Sequence, residues 1–393
     1  MIFGGRTPRE QVPAPVIETV PRGLRIAAAF SWRLLLVGGL IAVLIFLVIQ
    51  FRYIVIPLLV ALLLSALLVP FSQWLQQHRW PKWLAVTVSM LGTIGIVGGL
   101  ITLVVLEVRR GYPRLQEASI AAFDDFRVWL LDGPFHIDAG EFNTWVEQIW
   151  ETIQRDSSGL WSGVLSFGST AGHVLAGMLL ALFATLFFLI DGRGIWQWIL
   201  RLFPRKARAA VGGAGEAGWI TLTTFVKVQI FVAFVDAVGI GLGAWILGLF
   251  FGGFPLVLPI AVAVFLGSFI PIVGALVTGT LAVFVALVYL GPVPALIMLG
   301  IVLLVQQIEG HVLQPLIMGT AVKIHPLAVV IAVASGGFIA GIPGALFAVP
   351  LVAVANVMVN YIAAGTWRTN PHPTLEQILP PSQHYQLGDP SRD

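Results

Sequence analysis

Two stretches near the end of the chain read almost as one phrase: GSFIPIVGAL, residues 267–276, and GGFIAGIPGAL, residues 336–346. The second is one residue longer, yet Gly, Phe and Ile recur at the start of both and Gly-Ala-Leu closes both. Each lies inside a long apolar run, where glycine and proline interrupt a helix. In hydrocarbon an unpaired backbone amide or carbonyl is costly, so a broken helix survives there only when buried in protein or facing water. Paired Gly/Pro-interrupted apolar segments mark the binding region of many transporters, where free helix ends turn backbone dipoles toward the cargo. Against this stands a plainer reading: two tight turns, glycine for close packing, and chance repetition in a chain rich in Ala, Gly and Ile. Both readings stay open from sequence alone.

The rest of the chain sets the medium. It has 393 residues, 58% hydrophobic and 10% charged, with a mean hydropathy of +0.93. Soluble domains carry about 25% charge, and several apolar runs exceed the roughly 18–20 residues that cross a ~30 Å hydrocarbon core. The chain is expected to be an all-α polytopic membrane protein, with about eight membrane-inserted helices or broken-helix hairpins. It contains no cysteine, which excludes disulfides, thiolate metal sites and cysteine nucleophiles. The net charge of +3 is small and its basic residues flank apolar segments, which fits orientation in a bilayer better than nucleic-acid binding.

Along the chain, residues 1–25 read as a disordered cytoplasmic tail and 26–106 as three spans. The composition changes at Glu107: ten of the nineteen acidic residues fall between there and Asp156. Leu115, Ala118, Ala122, Phe126 and Trp129, and later Phe142, Trp145, Ile149 and Ile153, recur at helical steps. Residues 107–159 are therefore expected to be a small acidic helical insertion on the periplasmic side. The basic loop with Arg193, Arg201, Arg205, Lys206 and Arg208, like the turn holding Arg79 and Lys82, belongs inside. Residues 160–364 form the membrane core with the two broken runs, entering from opposite faces, and 365–393 a cytoplasmic tail. Both termini are expected in the cytoplasm of a bacterial inner-membrane protein.

Only Lys227, Asp236, Glu309 and Lys323 are charged between Trp219 and Gly365. An intramembrane carboxylate is a functional candidate by default; Lys227 is too far along the same helix to pair with Asp236, so a partner must come from another span. Alternatively Asp236 faces a water-filled vestibule or a subunit contact. Gln306, Gln307, Glu309, His311 and Gln314 form the densest polar cluster, suited to hydrogen-bonding a polyhydroxylated molecule or relaying protons, or else simply marking a helix end in water. With Pro271, Gly274, Gly341, Pro343 and Gly344 at the breaks, these are the candidate substrate or gating residues. No zinc helix, Walker loop or nucleophile elbow occurs. No enzyme activity, catalytic residue, metal or cofactor is expected, and transport would be secondary or passive.

The segments FFLIDG (187–192), FIPIVGA (269–275), VQQIEGHVLQPLIMG (305–319), KIHPLAVV (323–330) and GGFIAGIPGALFAVP (336–350) resemble, in order and spacing, those of the AI-2E family of bacterial inner-membrane transporters. The resemblance covers most of the chain from the first span to about Ile362. It implies a multi-span permease, named for members that export the quorum-sensing signal autoinducer-2. Other members are assigned cation/proton antiport. It further implies a homo-oligomer, with a pentamer as the candidate form, a small-molecule or ion as cargo and the lipid bilayer as surroundings. A non-transporting membrane scaffold is the third alternative. The expected topology has a direct test: in this cysteine-free chain, Asn143→Cys should react with impermeant thiol reagents only from the periplasmic side, and labelling from the cytoplasm alone would overturn it.

Overall fold

The computed structural model describes residues 22–132, 167–270, 273–313 and 326–374. Every regular element among them is helical: α1 (Arg22–Gln50), α2 (Arg52–Gln77), α3 (Lys82–Asp132), α4 (Phe167–Arg201), α5 (Arg208–Phe250), α6 (Val257–Gly267), α7 (Val273–Leu290), α8 (Pro292–Ile308) and α9 (Pro326–Ala363). A π-turn, Glu309–Leu313, follows α8, and a 3-10 turn, Thr366–Arg368, follows α9. Among the described residues, eight helices are long and apolar enough to cross a membrane. The protein is thus an all-α, multi-pass membrane protein, as composition requires. Residues 1–52, with α1, form one compact unit and residues 53–393 a second.

Two helices run past the ends that hydropathy assigns. Helix α3 does not stop near Leu106 but continues to Asp132, into the acidic segment; the expected helix around Phe142 to Ile153 lies outside the described residues. Helix α5 begins at Arg208, well before its most apolar stretch. Its first turns, RAAVGGAGEAG, are rich in small residues that lower hydropathy but let neighbours approach.

Helix α5 is the spine of the second unit, roughly 64 Å long at 1.5 Å per residue. Toward its C-terminal end it packs with α6, α7 and α8 around Ile240, Ala244, Leu247, Ile260, Val264, Val285, Met298 and Val302. Glycines set the distance. A Cβ added at Gly239 would come within 2.9 Å of Val305, and one at Gly243 would overlap Ile301, so α8 lies against a Gly-x-x-x-Gly stripe. A Cβ at Gly241 would meet that of Ala261 in α6 at 3.1 Å. Toward its N-terminal end α5 packs through Leu222 and Val226 on Ala66 of α2 and Val354 of α9.

Buried hydroxyls are satisfied inside their own helices. Ser65, Ser89, Thr185, Thr221 and Thr278 each donate to the carbonyl four residues back, at 2.6–2.9 Å. That bond removes the cost of a polar group where no water competes. The Gly-x-x-x-Gly contact gives a stability prediction. Gly243→Leu should destabilise the detergent-solubilised protein by about 1–3 kcal/mol through overpacking, read as a fall in Tm. Gly300→Ala, where an added Cβ meets nothing within 4 Å, should leave Tm unchanged or raise it.

Candidate functional site

The two repeated phrases both fold as helical reversals. Helix α6, with 11 residues, is roughly 16 Å long and cannot cross a ~30 Å core alone. Its chain turns at Ser268–Ile270 and returns as α7. A Cβ on Gly274 would overlap the Gly267 carbonyl, so the two limbs touch backbone to backbone. In α9 the helical dihedrals fail at Ala340 (φ −137°, ψ 20°) and Gly341 (φ 64°, ψ −147°). A Cβ on Gly344 would overlap the carbonyl of Gly336. Residues eight apart in a straight helix are about 12 Å apart, so this contact requires the chain to double back. Gly267 and Gly274 in one phrase therefore do the same work as Gly336 and Gly344 in the other: they let the limbs cross where no side chain fits. Gly341 alone among them needs the left-handed region. Pro343 sits in the first turn after the break, where a missing amide costs nothing. Pro271 lies outside the described residues.

What holds the first tip is polar. Gln229 donates to the Ser268 carbonyl at 2.7 Å, and the Ser268 hydroxyl donates to Asp236 Oδ2 at 2.9 Å. That hydroxyl also lies 2.9 Å from the Val264 carbonyl. Gln229 and Asp236 are 7% and 2% exposed; spaced by nearly two turns, they share one face of α5. Among the buried polar side chains described, these two reach across to another helix, whereas the hydroxyls bond within their own. Asp236 Oδ1 is, among the described residues, the buried side-chain polar atom with no hydrogen-bond partner. Leaving such an atom unpaired costs about 1–3 kcal/mol, and more if it is charged. The partner of Asp236 does come from another element, but it is a hydroxyl and not a cation; Lys227 is exposed on the opposite face.

Three elements reach this level of α5. Helix α6 descends from the C-terminal side, with Ala261 beside Gly241 and Ser268 at Asp236. The second limb of α9 climbs from the N-terminal side: Tyr361 lies at Gly213, Met358 and Val354 at Gly218. Carried on at 1.5 Å per residue, that limb has the length to bring Ala340–Gly341 to about the level of Ala233–Phe234. Asp236 follows Gly218 by about five whole turns, so it lies on the face of α5 that receives Val354 and Met358. Helix α8 runs antiparallel on the neighbouring face, Ile301 at Gly243 and Val305 at Gly239; one turn further places Glu309 near the level of Val235, and the π-turn touches α5. Of the polar cluster, Gln306 and Glu309 are half-buried and Gln307 and His311 exposed, with His311 Nδ1 3.2 Å from the Gln307 carbonyl. Gln314 lies outside the described residues. No metal-binding group of His, Asp and Glu occurs among the described residues.

Residues 35–364 match the description of the AI-2E family transporters. The chain belongs to the AI-2E transporter family. It is 41% identical over 342 residues to the protein named "Putative transport protein MT0215" of Mycobacterium tuberculosis (strain CDC 1551 / Oshkosh), covering 87% of this chain and 92% of that one. It is 25% identical over 321 residues to "Putative transport protein YrrI" of Bacillus subtilis (strain 168), covering 78% and 86%. The two glycine-crossed reversals and the buried carboxylate thus belong to a membrane transporter. Sequence reasoning did not single out Gln229 or Ser268. The signals were there: Gln229 precedes Asp236 by nearly two turns, and Ser268 is a letter of the repeated phrase itself.

Because the limbs cross at glycine, Gly274→Ala and Gly344→Ala should each destabilise the protein by about 1–3 kcal/mol. Gly337→Ala is the control, since its Cβ would rest 3.8 Å from Ala345 in ordinary contact. Tm values in one detergent check this, and equal Tm for all three variants would contradict the crossing.

Proposed function

We propose that this AI-2E family member is a secondary transporter of a small polar molecule in the bacterial inner membrane, with its termini in the cytoplasm. The tip of the α6–α7 hairpin is its gate and Asp236 the group that couples gating to an ion gradient. The observation that carries the reading is the buried Asp236 carboxylate, bonded on one oxygen to the hairpin tip and unpartnered on the other. Taking up a proton or a monovalent cation there changes the charge beside Ser268, and with it the bond that holds the tip to α5. Glu309, on the flank of the same level, is the second carboxylate of the proposed path. Autoinducer-2, the signal for which the family is named, is the first cargo to test.

A second reading, cation/proton antiport without an organic cargo, is favoured by the same unpartnered oxygen, which a cation would satisfy. No part of the proposed cycle calls for bond-making chemistry, so the protein acts as a carrier and not as an enzyme.

The experiment is flux into proteoliposomes with and without a proton gradient, for autoinducer-2, other small polar metabolites and sodium. Asp236→Asn keeps the shape and the Ser268 hydrogen bond but cannot ionise. Its gradient-driven flux should fall by roughly an order of magnitude or more, with Tm near wild type. Wild-type flux and pH dependence in Asp236→Asn would overturn the assignment; absence of flux for every cargo in the wild type would return the protein to a scaffold.

A further inference from the structure

The segment that joins the apolar part of α4 to α5 takes no part in the site above, yet it is firmly built. Helical dihedrals fail at Asp191 (φ −142°, ψ 39°), and its Oδ1 accepts the Gly194 amide at 3.2 Å. The carboxylate thereby starts a separate short helix, residues 192–201. One face of that helix is fixed: the Trp196 ring occupies the place of a Cβ on Gly215, and Leu200 lies 3.5 Å from one on Gly212. The far end is closed by Arg208, whose guanidinium donates to the carbonyls of Arg201 at 2.9 Å and Phe203 at 3.0 Å. A basic side chain on the last carbonyls of a helix is a stable stop.

The opposite face is apolar and uncovered. Trp198 is 61% exposed and Leu202 71%, one helical turn apart, with Phe203 exposed beside them. Along the flank Arg193, Gln197 and Arg201 recur at four-residue steps, all exposed, and Arg205 and Lys206 follow in the turn. The one acidic side chain of residues 191–208 is Asp191, already engaged at the helix start. Gly215, on which Trp196 rests, lies one turn before Trp219, where the apolar part of α5 begins. The short helix therefore sits where hydrocarbon gives way to headgroups. A large apolar face bordered by arginine and lysine at that depth is the pattern of a helix lying in the membrane interface. Four basic side chains against Asp191, engaged at the helix start, and Glu216 of α5, which faces His372, suit phosphate in particular.

We propose that residues 192–206 form a binding platform for anionic phospholipids. Trp198, Leu202 and Phe203 enter the boundary between headgroups and acyl chains, while Arg193, Arg201, Arg205 and Lys206 hold headgroup phosphates. The platform is bolted to the first turns of α5 by Trp196 and Leu200, so the lipid surface fixes the depth of the helix that carries the candidate site.

The test uses the full-length chain with a nitroxide at Leu202→Cys, reconstituted in phosphatidylcholine vesicles and in vesicles containing about one third phosphatidylglycerol. Oxygen should relax the label and a water-soluble nickel chelate should not. Competition with spin-labelled lipids should show preference for phosphatidylglycerol over phosphatidylcholine. Each of Arg193→Gln, Arg201→Gln, Arg205→Gln and Lys206→Gln should lower that preference about fivefold, and high salt should weaken it similarly. Arg208 is left in place so that the helix end stays closed. Arg205→Gln and Lys206→Gln lie outside the helix and serve alone if the combined variant loses stability. A label reached by nickel in both vesicles, as an acidic protein partner would require, overturns the proposal. So does a phosphatidylglycerol preference that survives all four substitutions.

Discussion

A backbone that stops being helical inside hydrocarbon must find partners for its amides and carbonyls, and the bond from Gln229 to the Ser268 carbonyl is where this chain meets that demand. The α6–α7 reversal opens helical hydrogen bonding at Ser268–Ile270. One carbonyl is taken by an amide from α5, and the hydroxyl of the same residue is drawn to Asp236. The position of the hairpin follows from these two bonds. Gln229 and Asp236 must lie on one face of one helix, that helix must be straight over the distance, and α6 must reach exactly that far and no further. The length of α6, too short to span, is a consequence and not an accident of sequence.

Straightness and closeness come from the same residues. Helix α5 has no proline, and its glycines are spread over both ends: Gly212, Gly213, Gly215 and Gly218 receive α4, the chain after α9, and α9 itself, while Gly239, Gly241 and Gly243 receive α8 and α6. Glycine in a helix costs about 1 kcal/mol in water. Here each one admits a neighbour at backbone distance, and in lipid such packing is the main source of helix association. The C-terminal segment adds to the first end: the Tyr361 hydroxyl donates to the Asn370 carbonyl, and His372 lies 3.0 Å from the Glu216 carboxylate. That contact is exposed, so its contribution is small; the buried Ala214 and Ala217 beneath Tyr361 and Trp367 do more.

Hydropathy was enough to read the helical class and most spans, because apolar runs of that length have few alternatives. The repeated phrase pointed to both breaks, since glycine and proline act locally, but the first reversal falls at Ser268–Ile270 and Gly274 already lies in α7. Two kinds of feature were not legible. The first turns of α5 are helical through close packing rather than hydropathy, and although helical steps were read from Leu115 to Trp129, their continuity with the preceding span as one helix α3 was not. The partner of Asp236 was also hidden, because Ser268 is thirty-two positions away and pairing across helices leaves no periodic trace. Gln229 was overlooked for a different reason: a single amide in an apolar run resembles a tolerated polar residue until its carbonyl partner is known. The cluster around Glu309 was conspicuous in sequence by density alone, yet Gln307 and His311 proved exposed, so density did not predict convergence.

The two hairpins share a mould but not a mooring. The first tip is tied by Gln229 and Asp236; at the second, Phe338 is 94% exposed and Ile342 76%, and no side-chain hydrogen bond holds Ala340–Gly341 among the described residues. Local stability follows buried contacts and satisfied polar groups, so the second tip is the looser of the two. We propose that the two tips approach α5 from opposite ends and alternate at the level of Asp236. In the proposed cycle this makes ion uptake at Asp236 act on both: releasing Ser268 lets the first tip withdraw, and the vacated length of α5 is what the second tip can enter. Because the limbs cross at Gly267–Gly274 and at Gly336–Gly344 with no side chains between them, each hairpin would move as a unit in that cycle, the displacement at one polar bond being carried through backbone rather than through repacking of the core.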